Sequence, residues 1–256
     1  MPTALITGGT VGIGHAFAQA LAAKGYDLVL ASRDAAGLKA VADTFRTAHG
    51  IAVEVIPTDL TVRADVLALA DRLEDPDRPI DLLINNAGFA VHDSLLKKDF
   101  SLQERAMDVM GLDVLILSGA AARAMTARGH GAILNVTSSS AAITTGNYSA
   151  VKAWATVYTE ALSNELRGTG VKAMALLPGW VKTEFHSRGG VKAHNLPGFV
   201  WIDVNQLVHQ ALEDLENGKV LSVPTKRWAF MVWLGHLAPR AAIRSVSRAL
   251  TKSREK

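Results

Sequence analysis

The chain has 256 residues, 49% of them hydrophobic, and a net charge of +3; that is enough apolar residue for one sizeable α/β core. The absence of cysteine excludes disulfides and thiolate metal sites and suits a reducing compartment. No basic-then-apolar leader precedes the first strand, no apolar run reaches the roughly 18 to 20 residues needed to span a bilayer, and no His/Asp/Glu spacing suggests a metal, so a cytoplasmic protein is expected.

Apolar runs of strand length alternate with helix-period segments. Ala4–Ile6 predicts the first strand and Ile13–Lys24 the first helix. Between them lies Thr7-Gly8-Gly9-Thr10-Val11-Gly12-Ile13-Gly14, a glycine-rich turn that lets backbone N–H groups approach a phosphate at a helix N-terminus. It is not the G-x-G-x-x-G spacing, and its placement between strand and helix is what argues for a site rather than a plain turn. Leu28–Ala31 predicts the second strand, followed by Ser32-Arg33 and the helix Ala35–Ala48. An acid at that strand end would bind a ribose 2′-hydroxyl; Ser32 leaves the role vacant, and Arg33 suits a 2′-phosphate. NADP is therefore expected over NAD, against the plainer reading of Arg33 as a loop charge.

Ala52–Ile56 predicts the third strand and Arg63–Leu73 the next helix, with Asp59-Leu60 placed to meet an adenine edge. Leu82–Asn85 predicts the fourth strand; Asn85-Asn86-Ala87-Gly88 follows, asparagine to tie strand ends and Ala87-Gly88 to clear room for a cofactor. Ser101–Ala127 reads as one long helix, Ala132–Val136 as a strand leading to Ser138, and Tyr148–Leu166 as a helix. Lys172–Leu177 precedes Pro178-Gly179-Trp180-Val181-Lys182-Thr183, Lys182–Asp203 reads as a long loop, Asn205–Leu215 as a helix and Val220–Val223 as a last strand. Strands apolar throughout indicate a parallel sheet covered on both faces, and the β/α alternation a doubly wound α/β fold with ligands at the strands' C-terminal edge.

Tyr148 and Lys152 lie four residues apart, one turn apart on the same helix face. A cation near a phenol favours the phenolate; bringing a free tyrosine from about 10 to near 7 requires roughly 4 kcal/mol. Such pairs are also common on exposed helix faces, so it is the company they keep that matters.

Beyond residue 225 the character changes. Trp228–Leu237 is almost wholly apolar, and a basic amphipathic segment follows Pro239. Residues 226–256 hold eight Lys or Arg against one acid, Glu255, so the tail carries +7 and residues 1–225 carry −4. By charge alone the tail suits nucleic acid, anionic lipid or an acidic partner. A solvated helix face is the preferred reading; no nucleic-acid partner is expected, and contact with a membrane surface is kept open. The expected organisation is a catalytic domain over 1–225, with a substrate loop near 182–203, and a C-terminal extension over 226–256.

Taken in order, Thr7…Gly8…Gly12-Ile13-Gly14, Asn85-Asn86-Ala87-Gly88, Ser138, Tyr148…Lys152 and Pro178-Gly179 resemble the motifs of the short-chain dehydrogenase/reductase family, over about residues 3–224. The resemblance implies a single-domain Rossmann-type, mainly parallel sheet of about seven strands, and NAD(P)-dependent redox chemistry between alcohols and carbonyls. It implies Tyr148 as the general acid/base, Lys152 as its tuning cation and ribose contact, and Ser138 as the donor that polarises the carbonyl. For the cofactor it implies Gly8, Thr10, Gly12, Ile13, Gly14, Ser32, Arg33, Asp59, Leu60, Asn86, Ala87, Gly88, Pro178, Gly179, Val181 and Thr183, together with Tyr148 and Lys152. A looser likeness over Pro178–Phe185 points to a fairly apolar ketone or secondary alcohol. Phe89, Trp180, Phe185, Phe199 and Trp201 are candidates to line the pocket, and His186 and His194 lie near its mouth. Homodimers or homotetramers through the two long helices are implied as well.

Two departures bear on catalysis. Met110 stands where many members have an asparagine that holds a relay water, and a thioether cannot replace an amide. The Ser138-to-Tyr148 segment is also short for the family, which leaves Ser139 and Ser140 open as the active-site serine. The alternative function these departures favour is an NADP-binding sensor or scaffold with little turnover.

Overall fold

The protein is described here by a computed structural model covering residues 1–91, 93–182 and 198–254, without the side chains of 199 and 252–254. Seven strands form one sheet in the order β3-β2-β1-β4-β5-β6-β9: β1 Thr3–Thr7, β2 Asp27–Ser32, β3 Val53–Pro57, β4 Leu82–Asn85, β5 Gly131–Val136, β6 Val171–Leu176 and β9 Leu221–Ser222. Every pairing is parallel, so the sheet is wholly rather than mainly parallel. The order reverses at β1/β4, the switch point where doubly wound sheets bind ligands.

The apolar strands are buried because helices cover both faces. Against one face lie α1 (Gly12–Ala23), α2 (Ala35–His49) and α7 (Val204–Glu216), packing Phe17, Leu38, Phe45 and Leu207 on Ile6, Leu30 and Leu134. Against the other lie α3 (Arg63–Glu74), α5 (Asp113–Arg128) and α6 (Asn147–Glu165), packing Leu69, Leu117 and Leu162 on Leu5, Leu83 and Ile133. Side-chain caps fix two helix starts: Asp34 accepts from Gly37 N–H, and Asp203 from Asn205 and Gln206 N–H.

Three features differ from the sequence reading. The segment 101–127 is not one uniform α-helix: α4 (Ser101–Met107) passes through a π turn at Asp108–Leu112 into α5, with Asp113 N–H bonded to the carbonyl of Asp108. The run 101–128 is long and apolar enough to cross a membrane by composition, but over half of its most apolar stretch is buried in the fold. The segment 182–203 is not loop throughout: β7 (Trp180–Val181) pairs with β8 (Trp201–Ile202), too short a pattern to show as alternation. The C-terminal extension forms α8 (Lys226–Leu237) and α9 (Arg240–Arg254).

Candidate active site

The turn after β1 is built for close approach. Gly8 adopts φ +69°, and its N–H bonds to Ala31 O at 2.8 Å, tying the turn to β2. A Cβ at Gly14 would stand 2.3 Å from Gly8 O and 2.4 Å from Asn86 Nδ2, so no side chain fits there. Asn86 Nδ2 donates to Thr7 O (3.0 Å) and Gly8 O (3.2 Å), while Thr7 Oγ1 accepts from Asn86 and Ala87 N–H. The glycine turn and the Asn86-Ala87-Gly88 segment are thus one rigid unit. Val11, the N-cap of α1, makes no side-chain cap, so the first N–H groups of α1 are left for an outside acceptor. A glycine cradle and an uncapped helix N-terminus fit a dinucleotide pyrophosphate.

Beside this unit, Ser32 is half-buried and Arg33 and Asp34 are exposed. Asp34 caps α2, so it is occupied within the chain. The carboxyl of Asp59 lies below the usual range, chiefly through the Thr61 N–H and then its hydroxyl, with Arg33 and Arg105 adding positive charge nearby. Asp59 Oδ1 is therefore spent on a local turn, at 2.9 Å from Thr61 N. Leu60 is buried.

Behind the strand ends lies a buried polar network, of which the sequence foresaw only that asparagine would tie strand ends. Asn85 Nδ2 donates to Asn135 Oδ1 (2.9 Å) and to Ser118 Oγ (3.0 Å), and Asn135 Nδ2 donates to Thr159 Oγ1 (2.9 Å). It joins β4, β5, α5 and α6; the one readable signal was that polar residues end both apolar strands.

Ser138 follows β5 and Tyr148 lies in the first turn of α6, where the Ser138 hydroxyl favours the ionised phenol. Ser138 Oγ also accepts from Ser140 N–H (3.1 Å) and Ser140 hydroxyl (2.8 Å). Among the three candidate serines, then, Ser138 faces Tyr148 and Ser140 orients it, while Ser139 N–H bonds to Pro178 O at 2.9 Å. Lys152 Nζ is buried, donates to Val136 O at 2.7 Å, and lies 5.9 Å from the Tyr148 ring centre.

The expected depression of the Tyr148 pKa is not found. Burial pushes it up to about 12, with the Ser138 hydrogen bond pulling the other way. Burial also lowers Lys152 to about 8. Loss of solvent outweighs the cation here because Lys152 directs its ammonium to a backbone carbonyl rather than to the phenol. Tyr148 is consequently a neutral acid across the physiological range.

Met110 is fully buried at the π turn, and a Cβ built on Gly88 would lie 3.0 Å from its sulfur and 3.7 Å from Lys152 Nζ. Gly88 thus lies close to both the Met110 thioether and the Lys152 ammonium. Gly179 is covered by the Trp228 ring, whose carbons lie 2.1 Å from where a Cβ would stand, and Trp228 Nε1 donates to Val200 O at 3.2 Å. Val181 is buried in β7, which leaves only its backbone to offer a ligand. Trp180 and Trp201 meet edge to face at 5.9 Å, and Phe89 carries the Arg105 guanidinium over its ring. Thr183, Phe185, His186, His194 and the Phe199 side chain lie outside what the structure describes.

A family model for short chain dehydrogenases matches residues 2–190. Galactitol 2-dehydrogenase (L-tagatose-forming) of Cereibacter sphaeroides is 36% identical over 188 residues, covering 71% of this chain and 72% of that protein. Among solved structures, a short-chain dehydrogenase from Sphingobium yanoikuyae in complex with NADPH aligns with TM-score 0.83 and 34% identity, over 90% of this chain and 92% of that one. The bulky-bulky ketone specific alcohol dehydrogenase from Comamonas testosteroni aligns with TM-score 0.79 and 27% identity, over 94% and 96%. The chain belongs to the short-chain dehydrogenase/reductase family, a class of nicotinamide-dependent oxidoreductases acting on alcohol and carbonyl groups.

Proposed function

We propose that this enzyme reduces a fairly apolar ketone to a secondary alcohol with NADPH, Tyr148 giving the proton. The observation that carries the reading is the Ser138 hydroxyl acting on Tyr148, one helical turn from the buried Lys152. A bound nicotinamide supplies the hydride. Ser138, itself oriented by Ser140, would donate to the substrate oxygen and polarise it. Tyr148, protonated at neutral pH, would pass its proton to that oxygen as negative charge develops. Lys152 would offset the resulting phenolate. An acid held above neutrality suits reduction; the reverse reaction needs the phenolate first.

Support for NADPH over NADH comes from Arg33 at the end of β2 and from the engagement of Asp34 in capping α2. The half-buried Phe89, Trp180 and Trp201 and the ketone specificity of the Comamonas relative support an apolar substrate. Gly8, Thr10, Gly12, Ile13, Gly14, Asn86, Ala87, Gly88, Pro178 and Gly179 would hold the cofactor. A second copy would pack on α5 and α6, where Leu115, Trp154 and Val157 are exposed and Trp154 stacks on Tyr158. The testing experiment is NADPH consumption across a panel of bulky aryl and alkyl ketones and, separately, open-chain sugars. Turnover of the ketones supports the reading; turnover of the sugars alone overturns the substrate class.

Met110 favours a second reading, a cofactor-binding protein of little turnover, since a thioether stands where an amide was expected to hold a relay water. Tight NADPH binding with no consumption across both panels would favour it.

A further inference from the structure

The two C-terminal helices present an apolar surface that the rest of the described residues leave uncovered. In α8, Phe230, Trp233 and Leu237 are 59, 56 and 63% exposed, with Met231 and Leu234 beside them 48 and 50% exposed. Phe230 and Trp233 stack on each other at 5.8 Å, so the outer face of α8 is a formed aromatic ridge. Only Val232 of this helix is buried. Two residues, Ala238-Pro239, separate α8 from α9. In α9, Ile243 and Ser247 are buried against the body, yet Val246 and Leu250, on the same stripe as Ile243 by their spacing, are exposed. Arg240, Arg244 and Arg248 repeat every fourth residue and line the flank of that stripe.

Charge separates the possible occupants of this face. From Asn217 to Arg254 the sequence has no Asp or Glu, while it has Lys226 and Arg227 at the start of α8 and the three arginines of α9. A second copy docking by twofold symmetry would bring the α9 arginines against themselves, with no carboxylate between Asn217 and Arg254 to answer them. An anionic lipid surface answers both features: headgroups for the arginines, the acyl boundary for the ridge. We propose that α8 and α9 dock the enzyme on anionic membrane surfaces, with Phe230, Trp233 and Leu237 inserted and Arg240, Arg244 and Arg248 at headgroup level.

The docking helices also rest on the candidate active site. A Cβ on Gly235 of α8 would lie 3.0 Å from Ala142 Cβ. Ser247 of α9 accepts the Thr144 N–H at 2.9 Å, within the segment between Ser138 and Tyr148. Trp228 covers Gly179. A membrane-bound enzyme would thus hold the candidate active site beside the lipid, where apolar ketones concentrate. The docking goes beyond the reductase reading and stands without it.

The test uses the full chain with vesicles of phosphatidylglycerol, vesicles of phosphatidylcholine, and vesicles of brominated phosphatidylglycerol. The expected result is cosedimentation with phosphatidylglycerol but not phosphatidylcholine, loss of binding at high salt, and tryptophan quenching by the brominated lipid. The R240Q/R244Q/R248Q variant is expected to bind about a hundredfold more weakly, and F230S/W233S/L237S at least as weakly, with NADPH binding unchanged in both. No cosedimentation of the full chain, equal binding to both lipids, or absence of quenching overturns the proposal whatever the variants do. So does a fall in oligomer size of F230S/W233S/L237S without loss of lipid binding, which would assign the face to a second copy. Failure here leaves ketone reduction intact, because that is measured on soluble substrate without vesicles.

Discussion

Met110 packs its sulfur against Gly88, and the same glycine lies next to the ammonium of Lys152. The thioether thus fills space beside the cation that tunes the proposed acid, without offering a donor or a strong acceptor. Replacing it with asparagine tests whether a relay water was lost there. Met110→Asn is expected to raise kcat severalfold with little change in the KM for NADPH. It is also expected to lower stability by about 1–3 kcal/mol, since a buried amide must find partners. Steady-state kinetics and a denaturant melt check the two halves separately.

Cofactor preference is expected to rest on the end of β2. Ser32→Asp combined with Arg33→Ala should raise the KM for NADPH by roughly 10- to 100-fold through loss of a charge-assisted contact. The same change should lower the KM for NADH, because a carboxylate would then stand where a free ribose hydroxyl is bound. Unchanged selectivity in parallel titrations of the two cofactors would remove Arg33 from the site.

The two directions of reaction are expected to respond oppositely to pH. Tyr148, raised to about 12, keeps its proton through neutrality, and Lys152, lowered to about 8, is charged only below that pH. Reduction should therefore be flat at low pH and decline as pH rises through about 8, where Lys152 loses its charge. Oxidation of the product alcohol should instead increase with pH, since it consumes the phenolate. Initial rates in both directions across pH 6 to 10, roughly the span of the two titrations, make the comparison.

Asp113 gives a stability prediction separate from the chemistry. It follows the π turn, is buried with Oδ2 unpartnered, and is raised from 3.8 to about 7, first by burial and then by Asp108. A folded-state pKa above the unfolded one means the native state holds the extra proton. The stabilisation is complete below about pH 4 and is lost as pH rises through about 7. Asp113→Asn should flatten this dependence and gain on the order of 1–3 kcal/mol above pH 7. Urea melts at pH 5 and pH 8, points chosen roughly on either side of that titration, are the measurement.

Seven strands were legible because each is mostly apolar, β3 despite its Glu54, and buried parallel strands write that pattern into sequence. The glycine turn and the Ser138, Tyr148 and Lys152 set were legible because local chemistry fixes them: a turn needs glycine, and a four-residue spacing stacks two side chains. Three things were not. The π turn at Met110 was not read because the apolar residues of 101–127 cover more than one stripe, so one inserted residue disturbs no clear period. The Asn85–Asn135–Thr159 network joins residues up to 74 apart and exists only once strands register. The sign of the Tyr148 shift depends on how deeply the phenol is buried and on where Lys152 aims its ammonium, and neither is a property of spacing.

Tyr148→Phe tests the central claim most directly, because it removes one hydroxyl and keeps the ring that packs in the core. The account predicts unchanged NADPH affinity and a loss of ketone reduction of about 10²- to 10⁴-fold. Reduction within a few-fold of the unmodified enzyme, with NADPH still bound, would contradict it.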